Sequence, residues 1–258
     1  SVTIAGTIDG AANGEGTLQI TSTLKTFSNN IGDTYYLSLI DIDTNVTFAG
    51  DVTTYRLQLG ADINDSGDIT VQGPSTIETD VISQGPQIYN GDITITTNVS
   101  LDSNNNKITF NGTVNSQSSE ANTLTIDVGT SEVEFNGIVG GAVNGGLGAI
   151  SITGALNLDA VINSAASLTV STTSNLGANV TTSSTQTYTG NATISNNIIL
   201  TTTNSNVSFG GTTNAGTAGN TLTIAAGTGD VTFTNAVGGT TAMGNTTITT
   251  GALSAAAI

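Results

Sequence analysis

Along most of its length the chain repeats one short pattern: an apolar residue, a polar one, an apolar one, then a gap filled by Gly and Asn. Leu18/Ile20, Leu37/Leu39, Val46/Phe48, Leu57/Leu59, Ile69/Val71, Ile93/Ile95, Ile108/Phe110, Leu124/Ile126, Val133/Phe135, Ile150/Ile152, Leu168/Val170, Val207/Phe209, Leu222/Ile224 and Val231/Phe233 all follow it. Period-two alternation predicts strands of about five residues with one face buried and one in water. The middle residue is usually Thr, Ser or Gln. Val, Ile and Thr favour strands, while Asn and Gly favour the turns between them.

A longer period lies over the short one. Gln87-Ile88-Tyr89-Asn90-Gly91 returns as Gln186-Thr187-Tyr188-Thr189-Gly190, an offset of 99. Ile108-Thr109-Phe110 returns as Val207-Ser208-Phe209 at the same offset, and Val133-Glu134-Phe135 as Val231-Thr232-Phe233 at 98. A more diverged copy stands at the N-terminal side, where Val2 to Ile8 aligns with Ile108 to Val114 and Val46-Thr47-Phe48 with Val133 to Phe135. Between Leu18-Gln19-Ile20 and Val46 this copy carries extra residues, Thr21 to about Thr44, close to one additional coil. The organisation expected is a diverged repeat over 1–84 with an inserted coil, a repeat over 85–183 and a partial repeat over 184–258, in one continuous rod.

Two all-β architectures fit evenly spaced short strands: a tandem of antiparallel β-sandwiches and a β-solenoid. The long repeat favours the solenoid, because a single coil cannot bury its inner face and must stack on its neighbours. Coils about 20 residues long give roughly 12 of them, with Val, Ile, Leu and small residues in ladders inside, Thr and Ser in rows outside, and Asn at left-handed corners.

Composition narrows the functions open to such a rod. Lys and Arg total 3 against 19 acids, so the chain cannot neutralise a row of phosphates, and nucleic acid is excluded as a partner. With no His and no Cys there is no Cys/His zinc site, no Ser-His triad and no disulfide framework. No apolar run approaches the ~18 residues of a membrane span. The charge is uneven: 1–84 holds 11 of the acids, 85–183 holds 7, and 184–258 only Asp230.

The runs Gln186 to Gly190, Val207-Ser-Phe-Gly-Gly-Thr212, Leu222-Thr-Ile-Ala-Ala-Gly227-Thr-Gly-Asp-Val-Thr-Phe233 and Thr247-Ile-Thr-Thr-Gly251 resemble the repeats of very large bacterial surface proteins. These are the filamentous-haemagglutinin-like and autotransporter-like adhesins. The resemblance is good over about 85–258 and weaker over 1–84. It implies a right-handed parallel β-helix, export through the cell envelope, and a stalk or adhesive rod at the cell surface. The secretion-targeting cap and membrane barrel of such proteins have no counterpart in this sequence. Neither end shows a polar cap, so a longer polypeptide or self-association end to end is expected.

Several groups of residues invite a chemical reading. Asp62, Asn64, Ser66 and Asp68 stand at the spacing of the first part of a calcium loop, but the twelfth position is Gly73 rather than a bidentate carboxylate. The alternative is an Asx-rich turn, and no other cofactor is indicated. Asp41, Asp43 and Asn45 repeat the spacing without the Gly. Tyr35 and Tyr36, with Phe27 nearby, form the one aromatic cluster in the sequence, a candidate platform for a sugar. Glu132 and Glu134 flank Val133 and point outward together, the first requirement of a glycosidase pair. Their repeat equivalents, Asp230 and Thr232, do not keep the pair, so no enzymatic activity is expected. Finally, Thr-x-Thr pairs such as Thr187/Thr189 and Thr247/Thr249 would form rows like those of ice-binding proteins. The expectation is an extracellular or cell-surface structural and adhesive rod, with a glycan- or ice-binding module as the alternative and a surface glycan or receptor as partner.

Overall fold

A computed structural model describes residues 2–21, 25–42, 46–50, 52–59, 63–65 and 67–256. These residues contain no helix, and every strand pairing among them is parallel. The chain winds as a β-solenoid of about 11 turns. The antiparallel sandwich alternative is thereby excluded.

Each turn has three faces, visited in a fixed order. The first face runs from Val2–Ile4 through Lys25–Phe27, Val81–Ser83 and Gln186–Tyr188 to Leu253–Ala255. The second contains Ile69–Val71, Gln87–Tyr89, Ile108–Phe110, Ser174–Leu176 and Ala192–Ile194. The third contains Thr17–Ile20, Leu37–Ile42, Ser75–Ile77, Ile93–Ile95, Ile198–Thr201 and Thr246–Thr249. In the diverged N-terminal part, Lys25–Phe27, Ile31 and Leu37–Ile42 add one segment to each face in turn.

The apolar-polar-apolar triplets become strands whose outer residues are buried and whose middle residue is not, as in Ile93-Thr94-Ile95 and Val207-Ser208-Phe209. Parallel in-register pairing places like residues above like, about 4.8 Å apart. On the first face Leu101, Ile126, Ile152, Val170, Tyr188, Phe209 and Phe233 form one inward column. Val71, Tyr89, Phe110, Phe135, Leu158, Leu176 and Ile194 form another on the second. Within these columns the rings of Tyr89, Phe110 and Phe135 stack at 5.2 and 5.0 Å, and those of Tyr188, Phe209 and Phe233 at 5.0 and 4.9 Å. Offset stacks at such distances stabilise each coil on the next.

A polar unit is buried beside each aromatic stack. The Gln87 amide donates to the Asp102 carbonyl at 2.9 Å and the Ser83 hydroxyl at 3.1 Å, and accepts from the Tyr89 hydroxyl at 2.9 Å. Gln186 does the same with the Thr201 carbonyl at 2.9 Å, Thr182 at 3.2 Å and Tyr188 at 3.1 Å. The paired hydrogen bonds make these buried amides tolerable. Burial raises the phenol pKa of both tyrosines above its ordinary value.

The two copies of this unit lie on different faces. Gln87–Tyr89 pairs with Ile108–Phe110 on the second face, whereas Gln186–Tyr188 pairs with Leu168–Val170 and Val207–Phe209 on the first. The long repeat therefore falls one face short of five turns. Each copy is turned by a third of a revolution against the last, although its internal bonds are the same.

Asparagine serves the fold differently from expectation. Of the described asparagines only Asn104, Asn105, Asn144 and Asn204 take left-handed backbone. Many of the others brace one coil to the next, the Oδ1 accepting a backbone N–H one turn on. Asn98 to Thr123 (2.8 Å) and Asn197 to Thr221 (2.9 Å) are such a pair of braces, as are Asn115 to Ala142 and Asn214 to Thr240, both 2.9 Å.

Candidate functional site

The coil length varies, and that variation shapes the surface. Ile126 pairs in register with Ile152, and Ile152 with Val170, so the first of these two coils is much the longer. The extra residues of the long coil stand out at the corner between the third and first faces. Where the short coil follows, the corner steps inward and leaves a groove of about 520 Å³. Its walls are Ser119 and Glu120 on one coil, Asn144 on the next, Ser164 on the third and Ser183 on the fourth, over a floor that includes Leu147. Ser119 and Asn144 both take left-handed backbone, and the Ser119 N–H donates to the Asn144 carbonyl at 2.9 Å. A bulge between Ile162 and Ala165 sets Ser164 out at the corner. Bulges commonly re-aim side chains in this way.

A second groove lies in the next copy. Val237, Gly238, Ala242, Met243, Gly244 and Thr246 line this groove of about 390 Å³. Gly238 has φ 69°, like Gly140 at 66°. Because the copy is rotated, this groove lies at the corner between the second and third faces.

The aromatic candidates also stand at a corner. Tyr35 is 44% exposed. The Tyr36 ring stacks on Tyr55 of the following coil, at 6.5 Å and 16°. Gly73 lies against that second ring, since a Cβ there would come within 2.7 Å of it. Phe27 is not part of the cluster, because it is buried inside the first face. Sequence reading missed Tyr55, whose signal is its position one coil after Tyr36. The buried Tyr and Phe stacks also correct the expectation of a single aromatic cluster.

Asn64 of the calcium candidate lies in the strand Ile63–Asp65, in register with Thr47 and Ile82. Asp62 and Ser66 lie outside the described residues, as do Asp43 and Asn45 of the second spacing. Asp68 is exposed, beside Gly85. Among the described residues no group of three or more Asp or Glu side chains could hold a metal ion. Nor is any helix there long and apolar enough to cross a membrane.

Glu132 and Glu134 do point outward together, and Lys107 of the coil below bridges them at 2.8 and 2.9 Å. Hydrogen bonding to Glu132 is the main cause that raises the Lys107 pKa, and hydrogen bonding to Lys107 is the main one that lowers that of Glu134. The lowered pKa of Glu134 favours its ionised form, the opposite of what a general acid needs.

The hydroxyl rows are in register. Ser100, Thr125, Ser151, Thr169, Thr187, Ser208, Thr232 and Ser254 stand one above another on the outside of the first face.

Fold and surface define the class: an all-β repeat protein built as a parallel β-solenoid. No protein-family model matches the chain, and neither a curated protein nor a solved structure matches it.

Proposed function

We propose that this solenoid is a structural and adhesive rod, displayed outside the cell on a bacterial surface or in a matrix fibre. The reading follows the resemblance to filamentous-haemagglutinin-like and autotransporter-like repeats. One observation carries it: the copies keep the bonds that tie coil to coil and let the outward chemistry drift. Asp80 and Asn179 both accept the backbone N–H of the coil above, at 2.7 and 2.8 Å, although only one carries a charge. Asp92 and Asn191 do likewise, at 2.8 and 3.0 Å. Meanwhile the outward-facing Asp102, Lys107, Asp127 and Glu134 become Thr201, Asn206, Ala225 and Thr232. A catalytic surface would need its side chains; a scaffold needs its braces.

The rod's mechanism is stacking. Parallel coils share one hydrogen-bond ladder, and further coils or protomers would extend it in the same way. The acidic half repels neighbours, while the nearly neutral, hydroxyl-covered half permits close approach. Electron microscopy of the purified chain at high concentration tests the reading. Straight rods roughly 55 Å long, singly or in unbranched fibres, are expected from the coil spacing. Compact particles with no preferred axis would overturn it.

A further inference from the structure

We infer that the step groove between the third and first faces is a binding site for a neutral saccharide chain. Such a site needs only the unequal coils, whatever the rod as a whole is for. The groove runs along the axis over four successive coils, so its length is roughly 14 Å at the strand spacing. Its volume of about 520 Å³ lies within the range of small-ligand sites.

Its lining selects the ligand by exclusion and by fit. No cation is among the lining residues, so phosphate, sulfate and carboxylate groups find no counter-charge. The apolar part of its floor is small, Leu147 and alanines, too little to hold an acyl chain. A peptide strand finds no edge to pair with, because the corner backbone is used between coils. Ser116 N–H donates to the Gly145 carbonyl at 3.0 Å, Gly148 to Asn122 at 2.8 Å, and Ser183 to Ala165 at 2.9 Å. What the walls do offer is the hydroxyls of Ser119, Ser164 and Ser183 and the Glu120 carboxylate. Asn122 donates to one Glu120 oxygen at 2.8 Å, which steadies the carboxylate as an acceptor. Hydroxyls that both donate and accept, with a carboxylate to receive their protons, match the hydroxyl groups of an uncharged sugar.

The second groove is lined by a single coil, has Ala242 at the position of Asn144 and has no carboxylate in its lining. It therefore lacks the acceptor, and one saccharide site per chain is expected.

With no aromatic platform in the groove, affinity in the millimolar range is expected. The test is a titration of the whole chain with cellohexaose, chitohexaose and maltohexaose, followed by amide chemical shifts. At least one of them should move the amides of 119–121, 144–147, 164–166 and 183. Ser183→Tyr and Ser164→Phe fill the groove from exposed positions. Each should weaken binding roughly tenfold or more, with an unchanged thermal midpoint showing that the fold is intact. If Ser164→Phe unfolds the chain, Ser183→Tyr alone decides. No shifts with any of the three sugars at millimolar concentration would overturn the inference. So would shifts confined to the Tyr36–Tyr55 corner, or binding unaffected by Ser183→Tyr.

Discussion

At the scale of the residue, the interior is tuned by polar groups as much as by apolar ones. Thr213 is fully buried and its hydroxyl has no hydrogen-bond partner. An unsatisfied buried hydroxyl costs about 1–3 kcal/mol. The same position of the preceding copy is Val114, also fully buried. Thr213→Val should therefore stabilise the chain by about 1 kcal/mol, read as a rise in the denaturant midpoint. Tyr89 and Tyr188 make a second case. Their folded pKa values lie above the ordinary 10.0 because burial penalises the phenolate. The stability they contribute is complete below the unfolded pKa and is lost as pH climbs from there toward the folded values. Ultraviolet titration should show both phenols protonated for as long as the fold persists, and alkaline unfolding should release them together. Tyr89→Phe or Tyr188→Phe would remove that residue's share of the alkaline dependence while leaving the Gln87 or Gln186 amide oxygen without its donor. The inward and outward alternation was legible in the triplets. The inward glutamines were not: Gln87 is satisfied by Ser83 and Asp102, groups brought to it by a turn and by the next coil.

At the scale of the element, the coils are held as much by close backbone approach as by side chains. Gly91, Gly112 and Gly137 lie one above another at the corner leaving the second face, each against the glycine of the coil below. A Cβ on Gly112 would come within 2.3 Å of the Gly91 carbonyl carbon and oxygen. Beside them Asn111 donates to Asn90 at 2.7 Å, and Asn136 to Asn111 at 2.8 Å. Gly112→Ala should cost about 2–3 kcal/mol, as overpacking a tight contact does. Gly6→Ala, with nothing within 4 Å, should cost nothing measurable and serves as the control. Thermal unfolding of the two variants separates them. The Asn-Gly pairs were readable in the sequence as turns, but their stacking was not, because it depends on which turns share a corner. The same holds for the groove: Ser119, Asn144, Ser164 and Ser183 come from four coils, and no local motif marks them.

At the scale of the whole molecule, the long repeat and the winding are out of step. The recurrence was plain from Gln87–Tyr89 and Gln186–Tyr188. Its rotation was hidden by coil length, which is long from Ile126 to Ile152 and short from Ile152 to Val170. Coils of constant length, each one fifth of the repeat, would have put both copies on one face. Instead, what one copy presents to one side the next presents to another. This is why the two grooves sit at different corners and why the hydroxyl column on the first face is assembled from positions that are not repeat equivalents.

The parallel register with these unequal coils is open to cysteine cross-linking, since the chain has no native Cys. Three double variants suffice: Ser100→Cys with Thr125→Cys, Thr169→Cys with Thr187→Cys, and Thr187→Cys with Ser208→Cys. All three pairs are register partners on the outside of the first face. Neighbouring strands stand about 4.8 Å apart, inside the Cα separation of roughly 4.4–6.8 Å that a disulfide spans. Each pair should oxidise quantitatively within the monomer, although the three pairs are unequally spaced in the sequence. Failure of these pairs, with cross-linking instead at a uniform spacing of about 20 residues, would contradict that register.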